Sequence, residues 1–319
     1  MVRRSRPLTR RTVLGAAASS LVILGVGACS SAGQQATSSP SSAAPQPSPS
    51  PPPTPVVLEP AELADLESRF GVRLGVYAHD TGSGTVVAHR ADERFPMCST
   101  FKALLGAAIL HESSTVELDR HFTWSEADLL YHSPITEGNV ASGMSAEQLC
   151  DAAIRYSDNT AANLLLTEIG GPAGFTAFVR TLGDDVTRLD RIEPDLSTGE
   201  PGDERDTTTP AAFAGDLRSL VLGDALASER RVMLTDWLVG NTTGEGRIRA
   251  GTPEGWRLGN KTGSGGYGTV NDTAVLWPPD REPILLTVYT TMGVRYAEYD
   301  EAVIAEASSI ALAALTAHA

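Results

Sequence analysis

Strand-like and helix-like stretches are segregated along this chain, and no other feature restricts its fold as strongly. Residues 72–78 and 85–89 read as strands joined by the turn-rich Asp80-Thr81-Gly82-Ser83-Gly84. Three more strands follow near the far end, at 256–262, 268–277 and 284–291. Between them, up to about residue 239, the chain is mainly helical in pattern. Helices are expected at 60–70, over the apolar run 103–110, at 146–154, at 160–169 (closed by Gly170-Gly171) and at 299–317. Pro172 and Pro210 suit first turns of helices. The economical arrangement is one antiparallel sheet drawn from both ends, with the terminal helices on it and the middle helices inserted as a second lobe. The expected class is therefore α/β of the α+β kind, with residues 57–91 and 240–319 in a sheet lobe and 92–239 in an all-helical lobe. A cleft between two such lobes is a usual place for a small-molecule site.

The first 56 residues stand outside that body. Arg3, Arg4, Arg6, Arg10 and Arg11 precede an apolar run from Val13 to Ala28, and Thr9-Arg10-Arg11-Thr12-Val13-Leu14 resembles a twin-arginine export signal. Val26-Gly27-Ala28-Cys29 resembles a lipobox, which implies cleavage before Cys29 and a lipid on its thiol; a plain secretory signal and an uncleaved anchor helix are the alternatives. Residues 29–56 are rich in Ser, Pro, Ala and Gln, a composition that cannot form a core and reads as an extended tether. The expected division is thus a signal at 1–28, a tether at 29–56 and a folded body at 57–319. The protein would sit on the outer face of the cell membrane as a monomer, touching the membrane only through its lipid.

Charge narrows the partners. There are 25 basic and 39 acidic residues, a formal net charge of -14. Removal of the signal takes away five arginines and no acid. Such a chain has no electrostatic affinity for nucleic acid or anionic lipid. The six histidines show neither H-x-H nor H-E-x-x-H spacing, so no metal or other cofactor is expected. Cys98 and Cys150 are expected as buried free thiols.

Among all those basic residues there are only two lysines, Lys102 and Lys261, and both stand beside hydroxyl residues. Lysine, unlike arginine, can lose its proton when buried. Ser99 and Lys102 are three apart at the start of the apolar run, so they share one helical face. A serine becomes a nucleophile when a neighbouring base takes its proton. On its own the motif reads equally as a helix cap followed by an ordinary lysine. Four further stretches carry candidate chemistry: Ser157-Asp158-Asn159 at a helix junction, where Asp158 suits a cap; Glu193-Pro194 in the long loop 188–206; Arg247; and Lys261-Thr262-Gly263 at a strand end.

In order and spacing, these stretches resemble the class A serine β-lactamases, whose S-x-x-K, S-D-N and K-T-G motifs form a known signature. The resemblance covers residues 57–319 and includes Arg188-Leu189-Asp190-Arg191-Ile192-Glu193-Pro194 and Asn241-Thr242-Thr243-Gly244. It implies the fold shared with D-alanyl-D-alanine peptidases, and hydrolysis of β-lactam antibiotics. Ser99 would be acylated, with Lys102 ordering its protons. The backbone N–H groups of Ser99 and Ser264 would form the oxyanion hole. Ser157 would relay a proton to the lactam nitrogen. Lys261, Thr262, Ser264 and Arg247 would receive the substrate carboxylate, and Asn159 its side-chain amide. Glu193 would activate the deacylating water. Asn163 would brace the Glu193 loop, Arg191 and Asp206 would close its base, and the Glu193–Pro194 bond would be cis. His132 stands where relatives often carry an aromatic gate residue, and Ser197 where many have an asparagine that helps hold the water. The nearest rival is a penicillin-binding peptidase, which shares three motifs but lacks the glutamate. A non-catalytic lipoprotein that binds penicillins is the rival from another class.

The anchor has a direct test. Cys29→Ser should release the protein from membranes into the medium, measured by fractionation and immunoblotting; identical partitioning of both forms would mean that Cys29 carries no lipid.

Overall fold

The computed structural model of the protein describes residues 56–111 and 117–318; the expected signal, Cys29 and nearly all of the tether lie outside them. Six strands form the main sheet: β1 (Val57–Leu58), β2 (Arg73–Asp80), β3 (Val86–His89), β4 (Arg257–Gly265), β5 (Thr269–Trp277) and β6 (Ile284–Thr291). Their spatial order is β1-β3-β2-β6-β5-β4, with only β1 and β3 parallel. The decisive pairing is β2 with β6, in register from Arg73 opposite Thr291 to Asp80 opposite Ile284. The sheet is therefore closed by strands from opposite ends of the sequence, as their segregation requires.

Nine helices accompany it among the described residues: α1 (Ala61–Phe70), α2 (Phe101–Leu110), α3 (Ala146–Arg155), α4 (Asn159–Glu168), α5 (Gly171–Thr181), α6 (Pro210–Leu217), α7 (Ser228–Val239), α8 (Ile248–Gly251) and α9 (Ala302–Ala317). Side chains alternate across a strand, and the sheet uses both faces. From β6, Ile284, Leu286 and Val288 enter a core with α1 and α9, whereas Leu285 and Tyr289 join the core of the middle helices. All ten residues of α2 are buried. A helix that is apolar all round can only sit inside others, and α2 is the axis of that second core. Its N-terminus carries Ser99 and Lys102 to the junction of the two cores.

Three boundaries differ from the sequence expectation. Lys261-Thr262-Gly263 lies within β4 rather than at its end, because β5 keeps pairing as far as Gly265 opposite Thr269. Helix α9 starts at Ala302 rather than near 299, where Asp300 Oδ1 accepts from the Ala302 N–H at 2.9 Å and Glu301 turns toward Arg247. The two-residue β1 carries no alternation of its own and exists by pairing with β3. Cys98 and Cys150 are buried and free, as expected.

One buried pair has a stability consequence. Asp216 on α6 and Asp184 after α5 are both buried, and each has an Oδ2 without a protein hydrogen bond. Burial, and then the neighbouring Asp184 carboxylate, push Asp216 well above the carboxylate range. A proton held on Asp216 lets it donate to Asp184. The folded state therefore keeps a proton that the unfolded chain releases near pH 3.9, and stability declines as pH rises above that value. Asp216→Asn keeps a donor and removes the titration. It should be more stable than the parent at pH 7 by about 1–3 kcal/mol, with the gap closing toward pH 3, measured by urea unfolding across pH.

Candidate active site

Ser99 lies in a single 3-10 turn, Cys98–Thr100, that feeds into α2. Cys98 has φ +47° and Ser157 φ +59°, left-handed conformations uncommon for residues with a Cβ. Such backbone persists where surrounding contacts over-determine it, as at functional sites. Here Asn271 Nδ2 donates to the Pro96 carbonyl at 2.8 Å from the sheet side. Gly263 on β4 completes the approach: a Cβ there would stand 2.7 Å from the Met97 carbonyl oxygen, so only glycine lets the strand reach the serine turn.

Lys102, one turn along, is 0% exposed. Its Nζ donates to Ser99 Oγ at 2.9 Å, to the Ser157 carbonyl at 2.8 Å and to Asn159 Oδ1 at 2.5 Å. Glu193 Oε1 lies 3.1 Å away. Burial pulls the Lys102 pKa down and the Glu193 carboxylate works against that pull. Lys261 is equally buried; its Nζ donates to Ser157 Oγ at 3.1 Å and to the Thr262 carbonyl at 3.0 Å. Burial, then repulsion from Lys102, holds its pKa well below the usual lysine range. Ser157 thus stands between two lysines, its carbonyl on one and its hydroxyl on the other.

Glu193 faces the serine from the long loop. Ser99 Oγ donates to its Oε1 at 3.2 Å, and Ser197 Oγ to its Oε2 at 3.3 Å. The residue is clamped by Asn163 on α4, whose Nδ2 donates to the Glu193 carbonyl at 2.8 Å and whose Oδ1 accepts the Glu193 N–H at 3.0 Å. At the loop base Arg191 Nε donates to Asp206 Oδ2 at 2.5 Å, while Asp206 Oδ1 accepts the N–H groups of Asp190 and Arg191. The Glu193–Pro194 peptide is cis. Asp158 caps α4 through the Ala161 N–H and also holds the Thr136 hydroxyl, which ties the 132–136 turn to the serine motif.

A cavity of about 380 Å³ opens over these groups. Ser99, Ser157, Asn159 and Glu193 line one side and Thr262, Gly263, Ser264 and Arg247 the other. Tyr131, His132, Pro194, Ser197, Thr243 and Tyr299 complete it; Tyr131 is 92% exposed. His132 shares a hydrogen bond with the Tyr156 carbonyl, and its own carbonyl accepts the Asn159 N–H. Asn159 is engaged at both ends of its amide, since Nδ2 donates to the Tyr131 carbonyl at 2.9 Å. Thr262 and Thr243 hydroxyls are 2.6 Å apart. Arg247 is 5% exposed and turned largely into the protein. A larger cavity of about 590 Å³, lined by Arg73, Arg94 and residues 199–204 among others, has no serine, cysteine or lysine in its lining.

So the structure gathers Ser99, Lys102, Ser157, Asn159, Glu193, Lys261, Thr262, Ser264, Arg247 and His132 around one cavity or immediately behind it, with Asn163, Arg191 and Asp206 in the loop that carries Glu193. Sequence reasoning missed Thr243, Tyr299 and Glu301. Thr243 stood in a quoted stretch without a role, and the other two fell in the expected last helix.

A serine flanked by two candidate bases, opposite a lysine-bearing strand, is the arrangement the motif set implies. The family model described as the Beta-lactamase enzyme family matches residues 60–315. The β-lactamase AST-1 of Nocardia asteroides is 56% identical over 254 residues, 79% of this chain and 82% of its own. The chain belongs to the class A β-lactamase family. Among solved structures, the class A β-lactamase of the last common ancestor of Gram-negative bacteria is 55% identical, with TM-score 0.77 over 80% of this chain and 98% of that one. The β-lactamase of Streptosporangium roseum is 47% identical, with TM-score 0.78 over 80% and 97%. In this β-lactamase the shorter Ser197 still reaches Glu193. Gly265 is sterically required, because a Cβ there would stand 2.4 Å from the Ser197 carbonyl oxygen and 2.6 Å from Cys98 Sγ.

The Asn163 clamp is testable. Asn163→Ala removes both bonds to the Glu193 backbone and lets the carboxylate drift. Misplacement on the order of 1 Å can cost about 10²-fold, so kcat for a penicillin should fall by about that factor while Ser99 acylation in a stopped reaction stays fast. An unchanged kcat would mean that the loop holds Glu193 without Asn163.

Proposed function

We propose that this protein hydrolyses the β-lactam ring of penicillins and related antibiotics through an acyl-enzyme on Ser99, and so confers resistance. The observation that carries the mechanism is the Glu193 carboxylate 3.2 Å from the Ser99 hydroxyl, on the side opposite β4. Ser99 Oγ attacks the lactam carbonyl. Glu193, which accepts from Oγ at 3.2 Å, is placed to take its proton, and Lys102, which donates to Oγ at 2.9 Å, is placed to do so once it has lost its own. The N–H groups of Ser99 and Ser264 stabilise the developing oxyanion. The C–N bond breaks and Ser157, bonded to Lys261, passes a proton to the departing nitrogen. Water between Glu193 and the ester then loses a proton to Glu193 and attacks, releasing the open acid and restoring Ser99.

The carboxylate of the substrate rests near Thr262 and Ser264, in the positive field of Lys261 and Arg247. Asn159 and the Tyr131–His132 turn face the side-chain amide. A peptidase of the related kind has no counterpart to the Glu193 contact, which favours hydrolysis over trapping. Export through the twin-arginine signal, anchoring by lipid on Cys29 and a monomeric body complete the proposal; the support for them is the sequence of residues 1–56 and the acidic charge.

Glu193→Gln keeps the size and hydrogen bonding of the side chain and removes the proton acceptor. General-base help is worth about 10²–10⁴-fold, so this variant should accumulate a covalent adduct on Ser99, seen by mass spectrometry as an increase equal to the penicillin added. Ser99→Ala should form none. Turnover by the Gln variant at the parent rate would assign the base elsewhere, and indefinite accumulation by the parent would make the protein a penicillin-binding protein.

A further inference from the structure

We propose that the buried Asp272 carboxylate, acting through Asn260, Asn241 and Thr243, turns the hydroxyl hydrogen of Thr262 away from the cavity, so that Thr243 competes with a substrate's carboxylate for it. The inference rests on the β-lactam reading of the site and concerns a positioning residue, Thr243, to which that reading gives no role. Asp272 on β5 is fully buried, and an ionised carboxylate only accepts hydrogen bonds. Its oxygens receive the Ile248 N–H at 3.2 Å, the Thr273 N–H at 3.0 Å, and Asn260 Nδ2 at 2.9 and 3.1 Å. An amide side chain has a donor end and an acceptor end, so one fixed charge orders the amides in series. With its nitrogen on Asp272, Asn260 offers Oδ1 to Asn241, whose Nδ2 donates to it at 3.1 Å. Asn241 then has its oxygen on the far side. There Oδ1 accepts the Thr243 N–H at 3.2 Å and the Thr243 hydroxyl at 2.9 Å.

A threonine hydroxyl has one hydrogen, and that of Thr243 is spent on Asn241. In the 2.6 Å contact between the Thr243 and Thr262 hydroxyls the donor is therefore Thr262. Thr262 lines the cavity. With its hydrogen on Thr243 it shows the cavity only lone pairs, the wrong polarity for an anion. A carboxylate recruits that hydroxyl only by drawing its hydrogen off Thr243, and hydrogen bonds in a polarised chain strengthen one another. The contact is built into the backbone. Gly244 has φ +79°, and a Cβ there would stand 2.5 Å from Thr262 Cγ2, so glycine lets residues 241–244 lie against β4. Asp272 stands directly opposite Thr262 in the pairing of β4 with β5. The side-chain hydrogen bonds that connect the two nevertheless run the long way round, through Asn260, Asn241 and Thr243.

Thr243→Val keeps the shape of the side chain and removes the competing oxygen, while Asn241 Oδ1 keeps the backbone N–H of position 243. KM for benzylpenicillin should fall about two- to tenfold, the range of one neutral hydrogen bond, with kcat moving less, the pattern of strengthened uniform binding. The methyl ester of the same penicillin, which has no carboxylate, should show no such gain. Thr243→Ser restores the hydroxyl and should return KM to the parent value. A merely structural contact at Thr243 would, when lost, raise KM or move acid and ester alike. Neutron diffraction from the deuterated parent without substrate reads the direction itself, at about pH 8, above the value of about 6 to which burial pushes Asp272. The Thr262 deuteron should lie toward Thr243 and the Thr243 deuteron toward Asn241. An unchanged or raised KM in Thr243→Val, or equal changes for acid and ester, overturns the competition. A Thr243 deuteron aimed at Thr262 overturns the direction set by Asp272. The neutron result needs no turnover, so failure of the β-lactamase reading would appear separately, as no hydrolysis by the parent.

Discussion

The buried Lys102 ammonium is the interaction on which the other parts of the site depend. Removing a positive charge from water is costly unless oxygens surround it, and four do, one each from Ser99, Ser157, Asn159 and Glu193. Those oxygens come from the serine turn, the junction of α3 and α4, the first residue of α4 and the long loop. Satisfying one charge therefore fixes four segments relative to each other. The left-handed backbone at Ser157 follows from this, since its carbonyl must face one lysine while its hydroxyl faces the other.

A second buried lysine nearby makes the arrangement tighter. Lys102 adds to the burial that lowers the Lys261 pKa, and buried acids answer: Glu193 and Asp158 beside Lys102, Asp272 beside Lys261. Burial raises the Asp272 pKa to about 6, although Asn260 and the Ile248 N–H hydrogen-bond to it. At positions 102 and 261 the group must be compact and able to lose a proton.

Much of this was legible in the sequence because periodicity and turn chemistry are local signals. Strands β2, β5 and β6 and helices α2, α3 and α4 follow from patterns of spacing two or 3.6, and Asp158 from the chemistry of caps. The pairing of both chain ends follows from where the strands lie. What escaped depends on partners far away in sequence. β1 exists only through β3, and the extension of β4 to Gly265 only through β5. Assigning Arg247 to the carboxylate was chemically sensible; that its guanidinium also donates to Glu301, Gly263, Asn271 and Ser264 is invisible without those residues in place. The roles came from a resemblance to a family, and spacing alone left the serine motif open to a plainer reading.

Strand β6 lies in the middle of the sheet, between β2 and β5, yet it belongs to the last seventh of the chain that the structure describes. Loop closure between its partners spans most of the molecule, the kind of contact that folds slowly. A nascent chain that has already made Ser99, Lys102 and Glu193 therefore has no central strand to lay them on. Catalytic competence arrives late and nearly all at once, when the final segment slots between strands that were waiting for it. Any fragment that stops short of residue 284 lacks the strand that joins the two ends of the sheet.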